Sequence, residues 1–120
     1  MKSKKPQFDR RLEGTWKSDR RLTFKHYTPS PKTTPARLRR FKSIFGKLVI
    51  RWGRRFVYTE YNGSKVKDPY EILAIDSASV VIRGFNEVLN ESRLTQIFFE
   101  KDCYWFWIPG GMREFFRRVK

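Results

Sequence analysis

Gly14-Thr15-Trp16 and Met112-Arg113-Glu114-Phe115-Phe116-Arg117-Arg118-Val119 decide the architecture of this 120-residue chain. One stretch carries Gly-x-Trp and the other carries arginines, the parts needed where a sheet closes on itself. The first strand meets the last, and a guanidinium lies across an indole and seals the barrel floor. The expectation is all-β: a closed or nearly closed antiparallel up-and-down barrel of about eight strands. Arg113 or Arg117 is expected to pack on Trp16.

The sequence between these ends supplies the remaining strands and one helical insertion. Leu12 to Lys17 reads as a first strand. Ser18-Asp19 can cap a turn or two of helix from Arg20 to Tyr27. Three prolines between Thr28 and Pro35 make an irregular connection. Thr34 then caps a helix with Pro35 at its first position and Gly46 as its stop. Leu38, Phe41, Ile44 and Phe45 form its apolar stripe. After Gly46 the period becomes two: Leu48, Ile50 and Trp52 alternate with Lys47, Val49 and Arg51. Gly53-Arg54 has the form of a II′ hairpin turn, with a positive-φ glycine first. Phe56 to Tyr61 returns, and Asn62-Gly63 is the next turn. Pro69 to Ile75, Ser79 to Gly84, Arg93 to Phe99, Cys103 to Ile108 and Met112 to Val119 complete the set. The helical insertion at roughly 18–46, between strands 1 and 2, is expected to cap one barrel mouth. Residues 1–11 read as a flexible basic arm and residues 12–120 as a single domain.

Net charge is +15, and its distribution is uneven. Residues 1–19 hold six basic and three acidic groups, and residues 20–59 hold twelve basic and none acidic. Residues 60–120 balance at nine against nine. One side or end of the folded chain should therefore be cationic and should attract nucleic acid, anionic lipid or acidic small molecules. Cys103 is the only cysteine, so no internal disulfide can form. The basic residues at 2–5 are followed by no apolar segment of signal-peptide form, and no run reaches transmembrane length. A cytoplasmic location is the expectation.

The Gly14-Thr15-Trp16 start and the Arg-Glu-Phe-Phe-Arg-Arg-Val ending resemble the calycin superfamily, the lipocalins and fatty-acid-binding proteins. The insertion after the first strand is similar to the lid of the latter. The resemblance covers the two ends by motif and the middle by strand count. It implies a barrel whose usual use is to bind a small apolar or amphipathic molecule. The chain departs from most lipocalins in being shorter and in lacking their disulfide.

Two sets of residues are candidates for function. Trp16, Trp52, Tyr58, Trp105, Trp107, Arg113 and Arg117 could line a pocket for an acidic-headed ligand, or could be core, floor and wall packing. Alternatively, Arg37, Arg39, Arg40, Lys42, Arg51, Arg54 and Arg55 could neutralise phosphates of nucleic acid or an anionic surface while an aromatic stacks on bases. Both faces of the strand from Cys103 to Ile108 are apolar. It should be covered on both sides, by the insertion or by a second copy in a homodimer. His26, the lone histidine, has no His/Cys cluster around it, so neither a metal nor another cofactor is expected. Asp68 with Glu71 and Glu100 with Asp102 are carboxylate pairs at turn or edge positions. No catalytic motif is present, and enzyme activity is not expected.

Overall fold

The computed structural model describes residues 8–86 and 89–119. Eight antiparallel strands follow one another around a closed barrel in chain order. They are β1 (Gly14–Ser18), β2 (Val49–Trp52), β3 (Phe56–Tyr61), β4 (Ser64–Ile75), β5 (Ser79–Asn86), β6 (Glu91–Glu100), β7 (Cys103–Ile108) and β8 (Met112–Arg118). Closure is direct: Trp16 pairs with Arg118, Lys17 with Arg117 and Ser18 with Phe116.

Two helices, α1 (Arg20–Lys25) and α2 (Pro35–Lys42), lie between β1 and β2. Each begins as its sequence requires. The Asp19 carboxylate accepts from the Leu22 N–H at 2.9 Å, and Thr34 Oγ1 accepts from the Arg37 N–H at 3.1 Å. The Pro35 ring sits in the first turn, where no N–H is missed. Phe24 of α1 meets Phe41 and Phe45 edge-on, at 5.8 and 5.2 Å between ring centroids, and so binds the helices to each other. The insertion touches two sides of the same barrel end. His26 stacks on Phe115 of β8, and the Tyr61 hydroxyl at the end of β3 donates to the Ile44 carbonyl at 3.0 Å.

Alternation along the strands sends one set of side chains inward. Trp16, Ile50, Trp52, Tyr70, Ile72, Val80, Ile82, Ile97, Tyr104 and Phe116 form the core, with Leu12 at its base. The hairpin at Asn62-Gly63 has both residues at positive φ, 50° and 83°, as a two-residue primed turn demands. Gly53 is not among the glycines at positive φ, so the II′ turn is not formed. A wider loop of Gly53, Arg54 and Arg55 stands in its place, closed by the Gly53 N–H donating to the Phe56 carbonyl at 2.9 Å.

β4 starts five residues before the expected Pro69. The strand pairs with β3 through Pro69 and with β5 from Tyr70 onward. Pro69 thus stands where one ladder gives way to the next, a place that tolerates a missing N–H.

Of the arm read at residues 1–11, positions 1–7 lie outside the described residues. Phe8 packs against the core and Asp9 caps a 3-10 turn, Arg10–Leu12, through the Arg11 N–H. That turn sets Leu12 under the barrel. The Arg11 guanidinium grips the Asp9 carboxylate and donates to the carbonyls of Ser77, Asp76 and Ser79 at 3.0, 2.9 and 3.3 Å. It also lies 4.3 Å from the Phe99 ring. One side chain therefore ties the N-terminal turn to the β4–β5 turn across the floor. Burial alone would raise the Asp9 pKa, but hydrogen bonds and charge from Arg11 outweigh it and hold the carboxyl below its ordinary value.

Candidate functional site

The tryptophan at the floor is covered by Arg118, not by Arg113 or Arg117. The Arg118 guanidinium lies 4.4 Å from the centre of the Trp16 ring and donates to the Glu13 carbonyl. Trp16 Nε1 donates to the Leu12 carbonyl at 2.9 Å. Gly14 has φ 105°, and a Cβ there would stand 2.6 Å from the Arg118 guanidinium. The glycine two residues before the indole is thus explained by the arginine that passes over it. Arg117 points to the outer face and pairs with Asp19.

The interior around this floor is occupied by aromatic rings. Tyr104 sits 4.5 Å from Trp16 and 5.4 Å from Phe116 between ring centroids. Phe116 stacks on Phe106 at 5.2 Å. Trp52 Nε1 donates to the Tyr104 hydroxyl at 3.0 Å, and the Trp52 ring meets Tyr70 edge-on at 5.1 Å. Burial pushes the Tyr104 phenol far upward and the Tyr70 phenol up to about 12, so both remain neutral, Tyr104 accepting from Trp52 and Tyr70 donating to the Gly53 carbonyl. Of the seven pocket candidates, only Trp16 and Trp52 face inward, and both are packing.

Above the core, Ser18 Oγ donates to Glu114 Oε2 at 2.7 Å and accepts from the Gly46 N–H at 3.2 Å. Burial raises the Glu114 pKa, and the Ser18 hydrogen bond only partly opposes it. The folded chain therefore holds this proton after the unfolded chain has released it, and stability falls as pH rises from about 4.5 to the raised value. Glu114→Gln keeps an acceptor for Ser18. It should stabilise the protein at pH 7 by on the order of 1 kcal/mol and flatten this decline. Urea unfolding midpoints between pH 5 and 8 measure it; an unchanged slope would remove Glu114 from the account.

The remaining candidates lie on the outside, in two groups. On β6–β8, Trp105 stacks on Phe98 at 4.3 Å, and its Nε1 donates to Glu100 at 2.9 Å. Arg113 lies 4.9 Å from the Trp105 ring and 5.7 Å from the Trp107 ring. Cys103 is buried on this strand, and burial raises its thiol pKa, which makes it a poor nucleophile.

On β1–β4, one cross-strand row reads Thr15, Arg51, Tyr58, Lys67. Arg51 lies 4.0 Å from the centre of the Tyr58 ring, and Lys67 lies 4.2 Å from the Phe56 ring. The next row reads Lys17, Val49, Glu60, Lys65. Thr15, Val49, Arg51, Tyr58, Glu60, Lys65 and Lys67 line an open groove of about 390 Å³. A second open groove, of about 610 Å³, adjoins it across β1 and is lined by Lys17, Arg20, Lys47 and Arg117, with Asp19 as its acid. Cations exceed acids along both. Arg54 and Arg55 sit in the β2–β3 loop at the floor end, Arg54 5.5 Å from the Phe8 ring. Arg37, Arg39, Arg40 and Lys42 are exposed on α2 at the opposite end.

Sequence reasoning brought out Arg51 and Tyr58 for this wall but missed Lys17, Lys47, Lys65 and Lys67. The signal for the last two was present: Lys65 and Lys67 alternate with Val66 directly after a hairpin turn, and Pro69 drew the strand boundary past them. A smaller cleft of about 290 Å³ opens at the rim of β3–β6, with Asp68, Asn86, Glu91 and Arg93 among its lining.

Among the described residues no helix is long and apolar enough to cross a membrane. No family model, no curated protein and no solved structure matches this chain.

Proposed function

We propose that this lipocalin-like barrel binds single-stranded nucleic acid along the outer wall formed by β8, β1, β2, β3 and β4. The row Arg51–Tyr58–Lys67 carries the reading, because it sets two cations against aromatic rings inside a groove. A base can stack on an aromatic ring of the row, while Arg51, Lys67, Lys17, Lys47, Lys65 and Arg117 neutralise phosphates. The filled aromatic interior supports an outside site over an inside one.

Binding should weaken steeply with salt, each neutralised phosphate contributing a slope of about −0.7 in log K against log salt for a single strand. Replacing Arg51 and Lys67 together with alanine should reduce that slope by about 1.4 and weaken binding to every sequence alike. Fluorescence anisotropy with labelled oligonucleotides from about 50 to 200 mM salt measures both. Absence of binding at the low end, or a slope untouched by the double variant, would end the proposal.

The rim cleft favours a second reading, a small amphipathic ligand held at the barrel mouth against Val57, Phe85 and Leu89. Native mass spectrometry of freshly purified protein reads it directly. An added small-molecule mass supports it, and the bare chain mass in every preparation removes it.

A further inference from the structure

Two seams of the barrel wall are only partly paired: β4 meets β5 from Tyr70 onward and not before it, and β6 meets β7 over a short stretch. β6 and β7 pair over three positions, Phe98 with Trp105, Phe99 with Tyr104 and Glu100 with Cys103. The same register would continue as Ile97 with Phe106, Gln96 with Trp107 and Thr95 with Ile108, and these pairs do not form. Beyond Phe98 the other edge of β6 stays paired with β5 as far as Glu91, and β7 stays paired with β8 as far as Ile108. Residues 91–97 and 106–108 therefore each present one backbone edge with no strand partner among the described residues.

The fold closes a comparable opening elsewhere. β1 stops pairing with β8 at Phe116, and α1 takes over the exposed edge. The Asp19 N–H donates to the Phe115 carbonyl at 2.7 Å, and the Phe115 N–H donates to Thr23 Oγ1 at 3.0 Å. An uncovered edge is otherwise a template for another strand. At the β6–β7 seam two large apolar side chains are also uncovered, Leu94 at 64% and Trp107 at 56% exposure. Leu94 shares the outer face with its partner Arg83, while Arg93 shares the inner face with Gly84 and, through it, the buried Tyr70. Arg113 flanks Trp107 outside. Glu91 stands at the far end of the free edge.

We propose that this seam is a strand-addition site for an acidic, extended peptide segment of another protein. About six residues, roughly 20 Å of extended chain, match the free edge of β6. Side chains of the added strand alternate between faces, so apolar residues fall on Leu94 and Trp107 and acidic residues turn toward Arg93. Charge selects the occupant: Arg93 and Arg113 flank the free edges, and a second copy carries the same net +15 as this chain, whereas an acidic segment is attracted.

The test uses the full chain and an octapeptide alternating valine with aspartate. Its control is the same peptide N-methylated at alternate residues, in both phases, which keeps the charge and removes edge donors. Seam-facing amides among residues 91–96 and 106–108 should exchange rapidly in the free protein and at least ten times more slowly with the unmodified peptide. Leu94→Thr, which removes the apolar surface without adding charge, should weaken binding about tenfold without moving the thermal midpoint. Equal binding of the methylated peptides, protection on β2–β4 in place of the seam, or unaltered affinity in Leu94→Thr overturns the proposal. So does a dimer in sedimentation whose seam amides are already protected without peptide.

Discussion

Trp16→Ala should cost about 3–5 kcal/mol of folding stability, a large part of the roughly 5–15 kcal/mol a domain has. The side chain is almost completely buried, touches the Tyr104 ring, lies under Arg118 and holds the Leu12 carbonyl through Nε1. Alanine leaves a cavity at the junction of the first and last strands, together with an orphaned carbonyl. Trp16→Phe separates the two effects: it keeps most of the volume and should lose about 1–3 kcal/mol, through the unpaired carbonyl and the smaller ring. Urea denaturation with a shared slope measures both variants. A loss below about 1 kcal/mol in Trp16→Ala would show that the floor does not depend on the indole.

Arg11→Ala should cost about 2–3 kcal/mol, less than the roughly 3–5 kcal/mol of a fully buried pair because Arg11 is partly exposed. The variant strands the Asp9 carboxylate, 7% exposed, without its cation and frees three carbonyls of the β4–β5 turn. The pH dependence follows from the sign of the Asp9 shift. Its folded pKa lies below the unfolded value of 3.8, so the contribution is present above that value and is lost as pH falls through the folded one. In Arg11→Ala that acid-side loss should vanish. Adding Asp9→Asn to Arg11→Ala should recover part of the stability by removing the uncompensated charge. A double variant no more stable than Arg11→Ala would refute the ion-pair account.

The barrel was legible because period-two alternation and turn residues act locally, so β2, β3 and β5–β8 fall close to their expected places. The floor was legible in kind but not in register. Gly14 and Trp16 announced an arginine, yet three arginines in β8 compete, and parity chooses among them: Arg118 shares the inward face with buried Phe116, and Arg117 does not. The candidate wall was harder to see. Whether Trp52 and Tyr58 share a face depends on the parity of the Gly53 turn, and an even turn, the expected one included, puts them on opposite faces. Trp52 in fact pairs with Val57, and Tyr58 stands outside. The clamp by Arg11 joins residues more than sixty positions apart and leaves no local trace in the sequence.

Barrel closure joins Arg117 to Asp19 and Arg118 to Glu13, 98 and 105 positions away. During synthesis at roughly 5–20 residues per second, the first strand therefore waits several seconds for the last. Throughout that interval Leu12 and Trp16 lack the cover of Tyr104, Phe116 and Arg118, and one edge of β1 is bare. A nascent chain in this state offers an open template for strand pairing, so slower elongation over the last strand should lower the yield of folded protein.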